Sequence, residues 1–391
     1  MKKKISILGS TGNVGKKTVE LVLQRKMAYQ VEALSAYSNF TLLASQAKLL
    51  NAKYVSLYDS THFQNLKDSL LDTDIKIVMG AQGLQEIAGI PVDLSVIAIL
   101  GIAGLAPVLQ VINSGTKIIA IANKESIICG GKLLLQQARN QNVQIIPIDS
   151  EHNAIFQILQ YDNQCIEKII LTASGGPFLN YRLEKLQTVT VDSTLKHPTW
   201  NMGKKISVDS ATMMNKALEM IEAHHLFNII ANKIEVVIHP ESIVHGMVVY
   251  NDGFYFAVLA EPDMAIHILY ALSWPQRRTN INYRLDFTKH KKLTFQKPNY
   301  DRFHALKLSF EILNSTNIHC NSIILNAANE IAVHAFLNAS IRFLDIVKIV
   351  ESTIEHFHGN TNIKTLSDIM QIDCTSRIIA LNIIQKQYYC A

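Results

Sequence analysis

Two carboxylates stand one residue apart where an apolar run ends, in the segment IIPIDSEHNAIF at 145–156. The run is typical of a buried strand, and Asp149, Ser150, Glu151 and His152 follow it directly. Hard divalent cations such as Mg²⁺ and Mn²⁺ bind carboxylate oxygens and keep positions open for water or substrate oxygens. The segment therefore predicts a metal site. The alternative is that Asp149 or Ser150 only caps the helix that follows.

A metal site needs a further protein ligand, and the segment ISVDSATMMNKALEMIEA offers candidates. We expect this segment to form one helix, capped by Asp209 or Ser210. Lys216 lies three residues before Glu219, so a solvated ion pair is the alternative to a metal ligand there. The candidate ligands would share one helix face at i, i+4 and i+7: Asn215, Glu219 and Glu222.

The loop in IILTASGGPF has the composition of an anion site. The strand breaks at the residues SGGP, 174–177, where successive backbone N–H groups can form a nest for an anion. Together with Ser210, Asn215 and Lys216, Ser174 could hold a phosphate group. An ordinary Gly-Pro turn is the alternative.

A second loop, LKHPTWNMGKK at 195–205, has the composition of a lid. It contains a histidine directly before a proline and a tryptophan between that proline and a glycine, and such loops close over bound ligands. A single histidine in a loop is more often only a surface residue. We predict that His197 contacts a ligand because of the residues around it.

The N-terminal segment ISILGSTGNVGKKTVELVL places three glycines, Gly9, Gly12 and Gly15, between a strand and a helix. Glycines there let the backbone turn tightly and approach a pyrophosphate, which then lies at the helix N-terminus. The spacing Gly-x-x-Gly-x-x-Gly is a weak motif, and a plain glycine turn is the alternative. Its position at the start of a βαβ unit favours dinucleotide binding.

Two other strand ends bear on the cofactor and substrate. Strand two ends in SAYSN, 35–39, without the acidic residue that holds the ribose of NAD, which favours NADP. No lysine or arginine stands there to bind a 2′-phosphate. A later strand ends in Asn123-Lys124-Glu125-Ser126, where Lys124 could contact the substrate. Equally, Asn123 or Ser126 could cap the next helix.

The hydrophobic pattern predicts the elements that position these residues. Seven short apolar strands alternate with helical stretches up to about residue 148, which is typical of a doubly wound parallel sheet of the α/β class. Further strands around one strong helix then indicate an α+β region with a mixed or antiparallel sheet. We expect a catalytic region at 149–273 with the lid at 195–205, a linker at 274–301 and a helical region at 302–391.

Composition excludes several classes of protein. The net charge of +5 is spread along the chain, so nucleic acid is not an expected partner. Five scattered cysteines form no Cys-x-x-Cys pair, which favours a reducing cytoplasm over a disulfide framework or a zinc site. The N-terminus fits no signal or transit peptide. The uncharged stretch 94–116 is long enough to span a bilayer, but its glycines and proline favour a buried strand, turn and helix.

Seven segments together resemble the 1-deoxy-D-xylulose 5-phosphate reductoisomerase family of the methylerythritol phosphate route to isoprenoids. They are GSTGNVG, ANKES, PIDSEHNAIFQ, LTASGGPF, HPTWNMGKKISVDSATMMNKALEMIEA, HPESIVHGMV and LNAANEIAVHAFL. The resemblance spans nearly the whole chain. It implies an N-terminal Rossmann-type domain at 1–148, a central catalytic domain and a C-terminal helical domain. It also implies a homodimer, a phosphorylated sugar substrate, NADPH, and Mg²⁺ or Mn²⁺, with Co²⁺ as a third candidate.

The resemblance also implies roles for individual residues. The implied metal ligands are Asp149, Glu151 and Glu219. The residues implied to hold the substrate phosphate are Ser174, Ser210, Asn215 and Lys216. The residues predicted to be catalytic are Lys124, Ser150, Glu151 and His197, which with Glu219 also contact the substrate. The residues predicted to contact NADPH are Thr11, Gly12, Asn13, Val14, Tyr37, Ser38, Asn39, Asn123, Glu125 and Gly203.

The resemblance implies a retro-aldol and aldol isomerisation followed by reduction to 2-C-methyl-D-erythritol 4-phosphate, with the metal acting as Lewis acid. This sequence departs from the family at Tyr37-Ser38, where a glycine and a basic residue are usual, and in LAEPDMAIHILYAL at 259–272. Two other functions compete with this one. One is another two-domain NAD(P) dehydrogenase, such as a semialdehyde or homoserine dehydrogenase; a semialdehyde dehydrogenase would need Cys129 as its nucleophile. The other is a non-catalytic NADPH sensor.

Overall fold

The computed structural model of the chain describes residues 2–200, 202–279, 284–359 and 361–388. Position 201 of the predicted lid, positions 280–283 of the predicted linker and Cys390 lie outside these residues. The chain forms two compact units. The first unit comprises Met1–Ser126, Leu134–Asn153 and Asp263–Tyr283, and the second comprises Ile127–Leu133, Ala154–Pro262 and Arg284–Ala391.

The secondary structure follows the predicted alternation. The strands are β1 (Lys3–Leu8), β2 (Tyr29–Ala36), β3 (Tyr54–Leu57), β4 (Lys76–Met79), β5 (Leu94–Ile97), β6 (Ile118–Ile121), β7 (Gln144–Pro147), β8 (Ile166–Ala173), β9 (Ile234–Ile238), β10 (Val244–Tyr250) and β11 (Tyr255–Leu259). The helices are α1 (Asn13–Leu23), α2 (Phe40–Leu50), α3 (Phe63–Ser69), α4 (Gly80–Ala88), α5 (Leu105–Asn113), α6 (Lys124–Asn140), α7 (Ser150–Leu159), α8 (Leu183–Leu186), α9 (Val191–Thr194), α10 (Lys204–Ala211), α11 (Met214–Phe227), α12 (Met264–Ser273), α13 (His304–Leu313), α14 (Ile318–Leu337), α15 (Asp345–Glu355) and α16 (Leu366–Tyr388).

The first unit is built on a seven-stranded parallel sheet in the order β4-β3-β2-β1-β5-β6-β7. The strand order reverses direction beside β1, so the carboxyl ends of β1, β2 and β5 surround a switch point where α/β sheets bind ligands. The interior strands are apolar because helices pack against the sheet. The predicted doubly wound α/β fold is confirmed.

The second unit contains a four-stranded mixed sheet in the order β11-β10-β8-β9. Strand β8 pairs parallel with β9, while β10 runs antiparallel to both β8 and β11. Helices α13 to α16 follow and pack on one another, with α14 against both α15 and α16. The predicted mixed sheet and helical C-terminal region are therefore both present.

The uncharged stretch at 94–116 forms strand β5, a 3₁₀ turn at Ile102–Gly104 and the buried helix α5. This is the strand, turn and helix that its glycines and proline predict. Across the described residues, no helix has both the length and the apolar character that a membrane span requires.

The prediction of one helix over ISVDSATMMNKALEMIEA is wrong, because two helices, α10 and α11, meet at Met213. Met213 adopts the left-handed conformation at φ +62°, and the Thr212 hydroxyl accepts a hydrogen bond from the backbone N–H of Met214 at 3.3 Å. Asp209 and Ser210 consequently lie inside α10 and do not cap the helix that contains Glu219. A left-handed residue other than glycine has no strong local sequence signal.

The two units divide the chain differently from the predicted regions. Residues 149–153 and the α12 segment belong to the first unit, where the buried His267 contacts Asn153 (Nδ1 to Oδ1, 3.2 Å). The divergent 259–272 segment therefore contributes to the scaffold of that unit from Asp263 onward. In the predicted linker, Gln296 pairs with Ile238 of β9 and the Thr294 carbonyl contacts His239 at 2.9 Å.

Buried histidines make the stability of the second unit depend on pH. Burial lowers the pKa of His225 to about 3 and the pKa of His245 to about 4. The folded state keeps these histidines neutral, whereas in the unfolded chain each binds a proton below about pH 6.5. The free energy of unfolding should therefore decrease as the pH is lowered below about 6.5. We expect each histidine to contribute a loss of about 1.4 kcal/mol per pH unit until its folded-state pKa is reached.

Chemical denaturation at a series of pH values between about pH 7 and about pH 5 measures this loss. Replacing His225 by glutamine should make the loss shallower, whereas His358→Gln, at an exposed position, should leave it unchanged. Equal pH dependence in the wild type and both variants would contradict the prediction.

Candidate active site

The glycine turn of the first unit joins β1 to α1 and is held by close packing. Gly9 has φ +91°, and a Cβ atom there would lie 2.5 Å from the Ala98 carbonyl oxygen. A Cβ atom on Gly15 would overlap the backbone at Gly9 and Ser10. Gly12 has room for a side chain, its nearest neighbour being the Gly9 oxygen at 3.6 Å. Gly9 and Gly15 are thus required by the fold, whereas a Cβ atom on Gly12 would make only ordinary contacts.

Hydrogen bonds fix this turn against β2 and α2. The Gly9 N–H donates to the Ser35 hydroxyl at 2.8 Å, and the Ser10 hydroxyl donates to Gln46 Oε1 at 2.7 Å. Among the described residues, no side chain caps α1 at Gly12, so its first N–H groups remain available for an anion. The predicted cofactor residues Thr11, Gly12, Asn13 and Val14 are all at least partly exposed there.

The ends of β2 and β6 carry the other cofactor candidates of the first unit. Asn39 caps α2, accepting a hydrogen bond from the Leu42 N–H at 3.1 Å. Asn123 caps α6, accepting from the Ser126 N–H at 2.9 Å, as the capping alternative predicts. The amide of Asn123 also donates to the Ile99 carbonyl at 2.6 Å and to Glu125 at 3.1 Å. Asn123 therefore ties two strand-end loops together.

Asp149 is the centre of a buried charge cluster in the first unit. Its Oδ2 atom lies 2.7 Å from Lys124 Nζ, and its Oδ1 atom lies 3.2 Å from Nδ1 of the fully buried His152. Carboxylate oxygens of Asp149 and Glu151 lie within 4.8 Å of each other, close enough to bind one cation. Ser150 donates a hydrogen bond to Glu151 Oε2 at 2.6 Å. The structure thus brings together four of the predicted residues.

His197 of the second unit is fixed as a neutral hydrogen-bond donor. Its Nδ1 atom accepts hydrogen bonds from the backbone N–H groups of Thr199 at 3.2 Å and Trp200 at 2.9 Å. Burial lowers the pKa of His197 to about 4, so the ring is neutral at pH 7. The single ring hydrogen is therefore on Nε2, which faces the Ser174 hydroxyl at 3.0 Å. The sequence alone gave no indication of this tautomer.

The loop of Ser174 is closely packed on α10. Gly175 and Gly176 have φ values of +84° and +67°, and a Cβ atom on Gly176 would lie 2.8 Å from the Ser210 carbonyl oxygen. The Gly176 N–H donates to the Ser174 hydroxyl at 3.3 Å. The two predicted phosphate residues Ser174 and Ser210 are therefore neighbours in the chain's second unit.

Helix α11 carries a buried ion pair between Lys216 and Glu219, and Asn215 also hydrogen-bonds to Glu219. Lys216 is 4% exposed and Glu219 is 1% exposed. The alternative of a solvated ion pair is therefore wrong in one respect: the pair forms, but it is buried. Gly203, predicted to contact the cofactor, precedes α10 as its N-cap.

A buried link between α10 and α14 could not be predicted from the sequence alone. Asp209, next to Ser210, accepts a hydrogen bond from Asn329 Nδ2 at 2.8 Å and pairs with Lys205 at 2.9 Å. Asp209 is 1% exposed and Asn329 is fully buried. The only sequence signal was an asparagine within the apolar helix LNAANEIAV. Through this link, the C-terminal helices hold the helix that presents Ser210.

The buried position of Cys129 does not suit a nucleophile. Its side chain lies within α6 and has no exposed surface. A substrate cannot reach this thiol without a local opening of the helix. The geometry therefore gives no support to the semialdehyde dehydrogenase alternative.

Three family models match this chain. The model of 1-deoxy-D-xylulose 5-phosphate reductoisomerase matches residues 5–131. The model of the 1-deoxy-D-xylulose 5-phosphate reductoisomerase C-terminal domain matches residues 145–227. A further DXP reductoisomerase C-terminal domain matches residues 259–379. Together they span most of both units.

Curated relatives and solved structures agree with these models. A 1-deoxy-D-xylulose 5-phosphate reductoisomerase of Wolbachia pipientis subsp. Culex pipiens (strain wPip) is 66% identical over 389 residues, which cover 100% of this chain and 99% of that protein. The Zymomonas mobilis enzyme, solved in complex with NADPH, is 41% identical with a TM-score of 0.92, covering 98% and 100% of the two chains. A DOX-P reductoisomerase solved with NADPH, fosmidomycin and magnesium is 37% identical with a TM-score of 0.90, covering 98% and 99%.

Proposed function

This chain belongs to the 1-deoxy-D-xylulose 5-phosphate reductoisomerase family, and on that premise we propose which of its residues carry the reaction. The protein is an NADP-dependent oxidoreductase. It converts 1-deoxy-D-xylulose 5-phosphate to 2-C-methyl-D-erythritol 4-phosphate, using NADPH and a divalent cation. The observation that carries the residue assignment is the cluster of Lys124, Asp149, Ser150 and Glu151.

We propose Asp149, Glu151 and Glu219 as the metal ligands. The donor set fits a hard divalent cation, because all three offer carboxylate oxygens and those of Asp149 and Glu151 lie within 4.8 Å of each other. Glu219 is a nearly fully buried carboxylate paired with Lys216, and a bound divalent cation would add to the positive charge that already compensates it. When bound, the cation supplies Lewis-acid chemistry to the substrate's keto and hydroxyl oxygens, and NADPH supplies the hydride.

Lys124 and Ser150 would orient the reacting carbons. Lys124 Nζ contacts Asp149 Oδ2 at 2.7 Å, so its charge is held beside the proposed metal ligands in a site from which water is largely excluded. A fixed positive charge in such a site stabilises oxyanions strongly because little reorganisation is needed during the reaction. Ser150, hydrogen-bonded to Glu151, would turn its hydroxyl toward the substrate once Glu151 binds the cation.

We propose that Ser174, Ser210, Asn215 and Lys216 bind the substrate phosphate. The glycine-rich loop after β8 supplies backbone N–H groups in addition to the Ser174 hydroxyl. The N–H at Nε2 of His197 points at this hydroxyl, so His197 can donate to a substrate oxygen there without changing its charge. Binding of the phosphate, remote from the reacting carbons, would provide energy for closing the lid at 195–205.

The β1–α1 turn, the β2 end and the β6 end would bind NADPH. The fit rests on two observations: the uncapped start of α1 at Gly12, and the partial exposure of the residues at 11–14 around it. The proposed contacts of NADPH in this chain are Thr11, Gly12, Asn13, Val14, Tyr37, Ser38, Asn39, Asn123, Glu125 and Gly203.

We further propose the functional regions 1–148 for NADPH, 149–273 for catalysis, 274–301 as connection and 302–391 as helical support. Strands β1 to β7 end before residue 148, and α13 to α16 begin after residue 302, which supports these divisions. We also propose a cytoplasmic location. The free cysteines within the described residues, Cys129, Cys165, Cys320 and Cys374, are compatible with a reducing compartment.

We propose that the chain forms a homodimer through the β11 edge of the second unit's sheet. Strand β11 ends that sheet, and Phe254, Tyr255 and Phe256 at its start are each more than half exposed. An edge strand with adjacent aromatic side chains is a surface that proteins normally cover. Antiparallel pairing of two copies of β11 about a two-fold axis would cover both the backbone groups and the rings.

Replacing Phe256 by lysine is expected to convert the dimer to a monomer, because a charge would be buried in the self-complementary edge. Sedimentation velocity measures the change. Phe287→Lys is the matched control, since Phe287 is similarly exposed but lies outside β11. A wild-type monomer, or an F256K dimer as tight as the wild type, would contradict the proposal.

The activity is tested by following NADPH absorbance with 1-deoxy-D-xylulose 5-phosphate and Mg²⁺ or Mn²⁺, then adding a chelator. We expect oxidation that depends on both sugar phosphate and metal. Folded protein that binds NADPH but shows no NADPH oxidation with either metal would favour the sensor alternative. Oxidation that continues unchanged in chelator would favour a metal-independent dehydrogenase.

A further inference from the structure

Two tyrosines form a stacked pair at the carboxyl edge of the first unit's sheet. Tyr37 follows β2 and Tyr58 follows β3, and their ring centroids are 5.4 Å apart with an interplanar angle of 19°. Tyr37 is 69% exposed and Tyr58 is 42% exposed. An exposed, stacked aromatic pair offers a flat apolar face to solvent, and such faces bind nucleobases.

Backbone hydrogen bonds hold the pair beyond the end of the sheet. The Tyr58 N–H donates to the Ala36 carbonyl at 3.0 Å, and the Asp59 N–H donates to the Tyr37 carbonyl at 2.8 Å. These bonds continue the parallel register in which Ala36 of β2 lies opposite Leu57 of β3. The ring of Tyr37 is therefore presented by a paired backbone, so little conformational entropy would be lost when a base stacks on it.

The charged residues beside the Tyr37–Tyr58 pair do not favour binding of a 2′-phosphate. No lysine or arginine occurs at 35–39, and Ser38 and Asn39 offer only neutral groups there. Hydrogen bonds from Thr61 lower the pKa of Asp59, so the residue next to Tyr58 is an anion at neutral pH. At this strand end, the adenosine half of a dinucleotide would therefore be bound mainly by uncharged contacts such as stacking.

We propose that Tyr37, supported from behind by Tyr58, is the stacking surface for the adenine of NADPH, and that this contact supplies most of the affinity of the adenosine half. The proposal rests on NADPH binding in the first unit, as proposed above. It assigns Tyr37 a defined contact and adds Tyr58, a residue to which no sequence motif gives a role. It also implies that discrimination between NADPH and NADH is weak, because adenine is common to both.

Cofactor binding is measured by titrating the protein with NADPH, with NADH and with reduced nicotinamide mononucleotide, which lacks adenosine, and following the fluorescence of the nicotinamide. Base–aromatic stacking contributes about 1–3 kcal/mol, so Tyr37→Ala should weaken NADPH and NADH alike by about 5-fold to 150-fold. Tyr37→Phe keeps the ring and should bind like the wild type. The mononucleotide should be unaffected by either change.

Two further variants separate stacking from charge. Tyr58→Ala should weaken both dinucleotides by a smaller factor, whereas Tyr161→Ala, at an exposed tyrosine of the second unit, should change nothing. Ser38→Arg should tighten NADPH relative to NADH, and it should do so in the Tyr37→Ala background as well, because charge and stacking act on different atoms.

The inference is overturned if Tyr37→Ala binds NADPH as the wild type does, if it loses NADPH but not NADH, or if it weakens the mononucleotide equally. In each of these cases the wild type still binds NADPH, so the proposed function stands. A wild type that binds no NADPH overturns both together.

Discussion

Replacing Glu219 by glutamine is expected to abolish turnover while leaving NADPH binding nearly intact. A glutamine has nearly the same shape but no charge, so a hard divalent cation loses one of its proposed anionic ligands. Lewis-acid assistance contributes several kcal/mol to such reactions, and turnover should fall by about 10³-fold or more. The proposed NADPH contacts lie mainly in the first unit, in the β1–α1 turn and the ends of β2 and β6.

Steady-state turnover with saturating Mn²⁺, nicotinamide fluorescence on NADPH addition and a Mn²⁺ titration together test this expectation. Asp373→Asn is the matched control, because Asp373 is also buried, also pairs with a basic residue, Arg377, and would lose the same charge, but is not a proposed ligand. If loss of any buried, paired carboxylate were damaging, both variants would fail alike. Wild-type turnover in the Glu219→Gln variant would contradict the assignment of Glu219 as a metal ligand.

The structural cost of this change is separable from its effect on metal. Glu219 pairs with the buried Lys216 and accepts a hydrogen bond from Asn215. In the neutral variant, the positive charge of Lys216 therefore loses the negative charge that compensates it. Breaking one side of a buried pair destabilises proteins by about 3–5 kcal/mol. A glutamine oxygen can still accept hydrogen bonds, so we expect the lower part of this range. Assays are therefore performed below the melting temperature of the variant.

Local patterns predicted the elements and most candidate residues because both depend on short stretches of chain. The continuous apolar runs around Ile5 and Ile145 reflect strands covered on both faces. Asp149 and Glu151 could be predicted as a pair because they are only two positions apart after a strand, so their carboxylates lie close together. Asn123 could be predicted as a cap because capping acts over three residues.

What the sequence did not show depends on contacts between distant segments. Asp209 and Asn329 are 120 positions apart, and only the fold brings their side chains to 2.8 Å. The same holds for α12, which joins the first unit although it follows the strands of the second. The helix break at Met213 is local, but its left-handed backbone is stabilised by packing that residue type alone does not reveal.

Replacing Lys124 by methionine is expected to change metal binding and turnover in opposite directions. Lys124 Nζ lies 2.7 Å from Asp149 Oδ2, and both side chains are largely buried. Two unit charges about 4 Å apart interact by about 4 kcal/mol at an effective dielectric constant near 20. Any cation bound by Asp149 would be repelled by Lys124 on this scale. Removing the lysine should therefore tighten Mn²⁺ binding about tenfold or more.

Turnover of the same variant should fall by about 10²-fold to 10³-fold, which is the usual effect of removing one preorganised donor from an oxyanion. Mn²⁺ binding is measured by titration calorimetry, and turnover by NADPH absorbance at saturating metal. Lys205→Met is the matched control, because Lys205 also pairs with a buried aspartate, Asp209, which is not a proposed ligand. That variant should bind Mn²⁺ as the wild type does.

The two readouts distinguish two roles for the lysine. If Lys124 competes with the cation for Asp149 and acts on the substrate, its removal gives tighter metal binding with slow turnover. If Lys124 instead holds Asp149 in the orientation that metal binding needs, K124M weakens Mn²⁺ binding, and excess metal restores part of the turnover. The distances favour the first role, because His152 also contacts Asp149, at 3.2 Å, and would keep the carboxylate oriented without the lysine. Weaker Mn²⁺ binding in K124M would therefore contradict the prediction.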